Sequence, residues 1–165
     1  MPKLYNMQYG IYTIQNESEI PKHLREDKYT FYVKINGRDI KGYESDYMDI
    51  MQDAFRFPTE YCEYWWEQFY EYMTDLEWLT YDEEKDTGYK NIILVFEHWN
   101  DVGRGLFSSG KKVREEILED FTEKEDGIFS ILAVEYEFIW SDDYTPCYTR
   151  DYEPIFKVFN IYLIP

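Results

Sequence analysis

Acidic residues at positions 60, 63, 67, 71 and 75 recur at intervals of three and four, the spacing that stacks side chains on one face of an α-helix. Carboxylates in such a row can do two kinds of chemistry. A pair that converges in a cleft can share proton transfer, as in glycoside hydrolysis, with aromatic neighbours stacking on sugar. A row on an exposed helix can instead receive a cationic surface. Like charges one turn apart repel by about 0.2–0.5 kcal/mol per pair, and Arg56 and Lys85 are the only basic residues between Ala54 and Tyr89. Carboxylates a turn apart on one exposed helix do not close on a substrate from two sides. The stripe of Glu60, Glu63, Glu67, Glu71 and Asp75 is therefore read as a docking face whose repulsion a cationic partner relieves, and the chain as a non-enzyme.

The helix that must position this stripe spans about 60–76. Its opposite side carries Cys62, Trp65, Phe69, Tyr72, Met73 and Leu76, an apolar face for the core. Tyr64, Tyr70 and Thr74 flank the acidic row with groups that both pack and hydrogen-bond.

Composition narrows the partner. The 165 residues carry a formal charge of −17, which opposes contact with nucleic-acid phosphates and with anionic membranes and favours a basic protein. Apolar residues make up 44% and aromatics 21%, enough to build a single core. Cys62 and Cys147 form no CxxC pair, so neither a disulfide framework nor a zinc site is expected. No signal-peptide pattern and no long apolar run appear, and a cytoplasmic location is expected. No nucleotide, zinc-protease or nucleophile-elbow motif is found, so no cofactor or metal is expected. Asp82, Glu83, Glu84 and Asp86 lack the spacing of a calcium loop and read as solvated.

The remaining elements follow from periodicity. Residues 9–14, 30–36, 91–99 and 155–164 read as strands, with 91–99 apolar enough to be buried on both faces. Residues 16–25 read as a turn or two of helix, and 45–55 as a helix broken at FRFP. Residues 111–126 form an amphipathic helix with Val113, Ile117, Leu118 and Phe121 inside. Residues 80–90, 100–110 and 144–154 read as loops. Residues 128–140 fit helix or strand. Strands alternating with helices predict a layered α/β fold with a mostly parallel sheet.

Four segments in order resemble the barstar family, the intracellular inhibitors of barnase-type ribonucleases. They are VKINGRDI (33–40) followed by SDYMDIMQDAF (45–55), FPTEYCEYWWEQFYEYMTDLEWL (57–79), NIILVFEHW (91–99) and IFKVFNIYL (155–163). The stretch ending in MTDLEWL is the most specific. The resemblance implies one barstar-like domain over 1–165, with residues 1–29 as a strand–helix extension and an enlarged 100–154 region. It implies an immunity protein or antitoxin of bacterial type that plugs the active site of a basic ribonuclease-like toxin. Aligned on Thr74, the family's early acidic position falls on Glu67 and its dominant acidic anchor on Glu71. The aromatic between them falls on Tyr70, and the tyrosine of the preceding loop on Tyr61. With the flanking groups, the expected docking set is Tyr61, Tyr64, Glu67, Tyr70, Glu71, Thr74 and Asp75. The resemblance also favours helix for 128–140, presenting Glu135 or Glu137 to the same surface. Glu63 and Trp65 stand where the family has a loop glycine and asparagine, which points to a toxin other than barnase. The alternative is a binding module of the same fold with a non-nuclease partner, distinguished by whether that partner loses nuclease activity.

Overall fold

Strand β3 (Asn91–Glu97) is the centre of the protein, and Ile92, Ile93, Leu94, Val95 and Phe96 are all fully buried there. A continuous apolar run suits a strand covered on both faces, because successive side chains point to opposite sides. The computed structural model describes residues 8–58, 66–104, 110–124, 126–133, 137–140, 146–149 and 156–165. Beside β3 lie β2 (Thr30–Asn36) and β6 (Val158–Leu163), and β1 (Gln8–Thr13) pairs with β6 at the outside. The order is β1-β6-β3-β2 and every pairing is parallel. Parallel neighbours need long crossovers, and those crossovers carry the helices, giving the layered α/β fold that the alternating patterns predict.

One face of the sheet presents Phe31, Val33 and Ile35 from β2, Leu94 and Phe96 from β3, and Phe159 and Ile161 from β6. Helices α2 (Met48–Ala54), α3 (Trp66–Asp75), α4 (Gly110–Thr122) and α5 (Ile128–Ala133) cover it with Met51, Phe69, Met73, Ile117, Phe121 and Leu132. Burying each such side chain contributes about 1.5–3 kcal/mol. In α4, Val113, Ile117 and Phe121 are buried as the spacing predicts, and Leu118 is partly buried against them. A π-helical turn, Tyr43–Tyr47, leads into α2. The chain leaves α2 through Arg56, whose backbone is left-handed at φ 55 and whose guanidinium lies 5.1 Å from the Phe31 ring centre.

The other face is narrower. Ile93, Val95 and Tyr162 meet Ile14, Ile20 and Leu24 from the segment that contains α1 (Lys22–Arg25). A capping box shapes this segment: the Asn16 side chain accepts from Ser18 N, and Glu19 Oε2 accepts from Asn16 N at 3.1 Å. Glu17 then pins it to the sheet, accepting from Tyr32 Oη at 2.7 Å and from Lys34 Nζ at 2.8 Å.

The 80–90 loop is ordered by its own turn chemistry. Gly88 has φ 91, and a Cβ there would sit 2.1 Å from the Thr80 carbonyl oxygen. Asp86 accepts from Tyr29 Oη and Tyr81 Oη, each at 2.8 Å, so its carboxylate fastens the loop to the β2 edge. No group of acidic, histidine or cysteine side chains placed to hold a metal occurs among the described residues. Nor is any described helix long and apolar enough to cross a membrane.

Two expectations need correction. Residues 128–140 are not one helix: α5 ends at Ala133, and Glu137–Trp140 forms β4. The 144–154 segment is not all loop, because Pro146–Thr149 forms β5 and pairs antiparallel with β4. The aromatic and β-branched residues of EFIW favour a pleated strand, and local propensity prevails over the pattern carried from the family. Glu135 lies outside the described residues, and Glu137 opens a strand rather than extending a helix.

Candidate functional site

Helix α3 packs by Phe69 and Met73, both buried, with Leu76 fully buried just beyond its end. Leu76 takes a left-handed backbone, φ 49, and its N–H donates to the Tyr72 carbonyl at 3.0 Å, which stops the helix. Three rings brace this end. Phe57, Tyr72 and Trp78 lie 5.1–5.7 Å apart, and the Trp78 indole donates to the Phe55 carbonyl at 2.8 Å. With one side so anchored, the other side of α3 must face outward.

That outward side carries Glu67 and Glu71, both exposed. Among the described residues neither carboxylate enters an ion pair or a hydrogen bond. Asp75 continues the row and is held above the usual carboxylate range by partial burial and by the nearby Glu77 charge. It sits in the last turn, where the helix dipole also disfavours an anion. Beside the acidic row runs an aromatic one. Trp66 is 44% exposed, and its ring stacks on Tyr70 with centres 5.2 Å apart and planes 18° apart.

The hydroxyls of the expected docking set are partly committed. Tyr70 donates to the Asp126 main-chain carbonyl. Thr74 Oγ1 bonds back to the Tyr70 and Glu71 carbonyls at 2.8 and 3.1 Å, so Thr74 is left to a partner as an acceptor. Tyr61 and Tyr64 lie outside the described residues. The structure thus brings Glu67, Tyr70, Glu71, Thr74 and Asp75 together on one helix, with Tyr70 at the seam between α3 and its neighbours.

Across that seam lies a set of groups that the sequence reading did not single out. The corner between α4 and α5 is tight: Gly127 N–H donates to the Glu123 carbonyl at 3.1 Å, and a Cβ on Gly127 would come within 2.4 Å of that oxygen. Ser130 Oγ bonds to the Glu123 and Lys124 carbonyls. This corner sets Glu123 and Asp126 close enough to Tyr70 that, after burial, their charges raise its hydroxyl pKa. One turn earlier, Asp120 accepts from the Tyr43 hydroxyl. Burial pushes Asp120 up to about 6; the Tyr43 and Trp66 hydrogen bonds pull it down, and Glu123 and Glu116 push it further up. Tyr43 stacks on Tyr47 at 5.3 Å. The Tyr47 hydroxyl is fully buried and has no hydrogen-bond partner among the described residues.

The result is an acidic face spread over two helices, with an exposed tryptophan between them. Glu116 and Asp120 on α4 and Glu123 just past its end fall at intervals of four and three, the same spacing that marks α3. Chemically the face can accept hydrogen bonds and receive positive charge. No protein-family model, characterised protein or solved structure matches the chain.

Proposed function

We propose that this protein is a barstar-like inhibitor or immunity protein, which binds a basic ribonuclease-type toxin in the cytoplasm of a bacterium and blocks its active site with α3. The observation that carries the reading is the Glu67–Glu71 row: exposed carboxylates without a paired cation among the described residues, beside the exposed Trp66 ring. Such a face repels itself in the free protein and is relieved by a positively charged phosphate-binding pocket. A net charge of −17 speeds the encounter with a basic partner. Rings of the Trp66–Tyr70 kind add contact area and cation–π attraction.

A ribonuclease inhibition titration tests it. Small basic microbial ribonucleases are mixed with the wild-type protein and with a Glu67→Ala/Glu71→Ala double variant. An endpoint near one-to-one with one of them, lost in the folded variant, is the expected result. Absence of inhibition across the panel removes the nuclease reading and leaves a binding module for a different basic protein.

A further inference from the structure

Asp120 is a half-buried anion whose described neighbours are neutral donors and other acids. Tyr43 donates to it, and the Trp66 side chain lies close by. Among the described residues no Lys or Arg pairs with it. A carboxylate offers about four acceptor positions, so the Tyr43 hydroxyl leaves it short of partners. Next to it, Tyr47 buries a hydroxyl that finds no hydrogen-bond partner among the described residues; burial first, and then the nearby Asp120 charge, raise its pKa. A buried hydroxyl without a partner is destabilising. Both tyrosines are held by a π-helical turn, a feature that is rare and recurs at functional sites.

We propose that Asp120, Tyr43, Tyr47 and Trp66 form a socket for one arginine side chain of a basic protein partner. The inference deepens the proposed function and rests on a basic protein being the partner. The guanidinium pairs with the Asp120 carboxylate and lies along the exposed Trp66 ring, with the stacked Tyr43 and Tyr47 rings as the floor beneath. Arginine fits better than lysine. Its planar fork matches a carboxylate, stacks on an aromatic face and is weakly enough hydrated for a half-buried position. A metal ion is a poorer occupant, since no cluster of three ligating side chains is present among the described residues. The socket is rimmed by Tyr70 from α3, by Glu116 from α4, by Glu123 just past its end and by Asp126 at the corner, none of which supplies positive charge. Protonation of Asp120 empties the socket of its charge, so arginine binding weakens as pH falls through about 6.

The test uses the full chain with a blocked hexa-arginine peptide and its hexalysine counterpart, following the Asp120 carboxyl carbon and the Trp66 indole N–H by NMR. Saturating hexa-arginine is expected to lower the Asp120 titration midpoint by about one pH unit or more, to shift the Trp66 signal and to bind more tightly than hexalysine. Asp120→Asn is expected to bind about tenfold more weakly and to lose the pH dependence. The Glu67→Ala/Glu71→Ala variant keeps the Asp120 midpoint shift, which separates the socket from general attraction of polycations to an acidic protein. A peptide that does not bind, or an Asp120 midpoint that it leaves unmoved, overturns the proposal without recourse to any variant. Asp120→Asn binding as tightly as wild type also overturns it. Ribonuclease inhibition is read separately. A response at Asp120 with no ribonuclease inhibited keeps the socket and removes the toxin, whereas inhibition undiminished in Asp120→Asn removes the socket and keeps the toxin.

Discussion

The Tyr70 hydroxyl donates to the main-chain carbonyl of Asp126, 56 residues further along the chain. That bond joins α3 to the α4–α5 corner, so the acidic face is one surface built from distant segments. Tyr70→Phe keeps the ring on Trp66 and removes the bond. Unfolding in urea is expected to show a loss of about 0.5–1.5 kcal/mol, and hydrogen exchange at the backbone of 126–131 is expected to quicken. Unchanged exchange there would show that the corner holds without Tyr70.

Removing the acidic row should not weaken the fold. Glu67 and Glu71 repel at one turn, as do Glu71 and Asp75, at about 0.2–0.5 kcal/mol per pair. Glu67→Ala/Glu71→Ala is therefore expected to melt at or above the wild-type temperature in low salt. The gain should shrink as salt screens the exposed charges. A double variant that melts lower at every salt concentration would mean that these carboxylates hold the helix in place.

Asp120 gives the protein an inverted acid response. Its folded pKa, about 6, lies above the ordinary carboxylate range, so the folded state holds the proton more tightly than the unfolded state. Its contribution to stability is present at low pH and is lost as pH rises from about 4 to about 6. Asp120→Asn removes the burial penalty of the charged form. It is expected to raise stability at pH 7 by about 1–2 kcal/mol, the full shift being discounted for partial exposure, and to leave it unchanged near pH 4. Urea unfolding at the two pH values checks this, and equal differences at both would place the penalty elsewhere.

Glu17 behaves in the opposite sense. The Lys34 ammonium and then the Tyr32 hydroxyl hold its carboxyl below the usual range. Its contribution is complete above the unfolded value of about 4.3 and disappears as pH falls through the folded value. Lys34 is 45% exposed, so Glu17→Gln is expected to cost no more than about 1 kcal/mol at neutral pH. The cost should vanish in acid once pH has fallen through the folded value, and faster exchange at Ile20 and Leu24 would report loosening of the segment over the sheet.

The parts of this architecture that could be read from the chain are those in which neighbouring residues agree. In β3 an unbroken apolar run meant burial on both faces, and in α4 the spacing of Val113, Ile117 and Phe121 marked the inner side. The Glu67–Glu71 row was equally plain because no lysine interrupts it. The matching row on α4 went unread because Lys111, Lys112, Arg114 and Lys124 share that stretch, so its acids looked like an ordinary mixed-charge outer side. Burial of Asp120 against Tyr43 links positions 77 apart, and no local pattern carries that. Residues 137–140 and 146–149 failed for a different reason: four-residue strands are shorter than the window in which alternation can be told from helical spacing.

The edge strand β1 takes its partner from the far end of the chain: Gly10 lies opposite Asn160. A nascent chain leaving the ribosome can wind α2 and align β2 with β3 well before β6 exists. It cannot seat residues 8–13 until nearly everything after them has been synthesised. Closure of so distant a pairing is entropically costly and slow. Strand β1 is thus made before β6 yet placed only after it, and until then the β6 side of β3 and the inner aliphatic side of the 14–24 segment wait uncovered, a vulnerable interval for a chaperone or a protease to exploit.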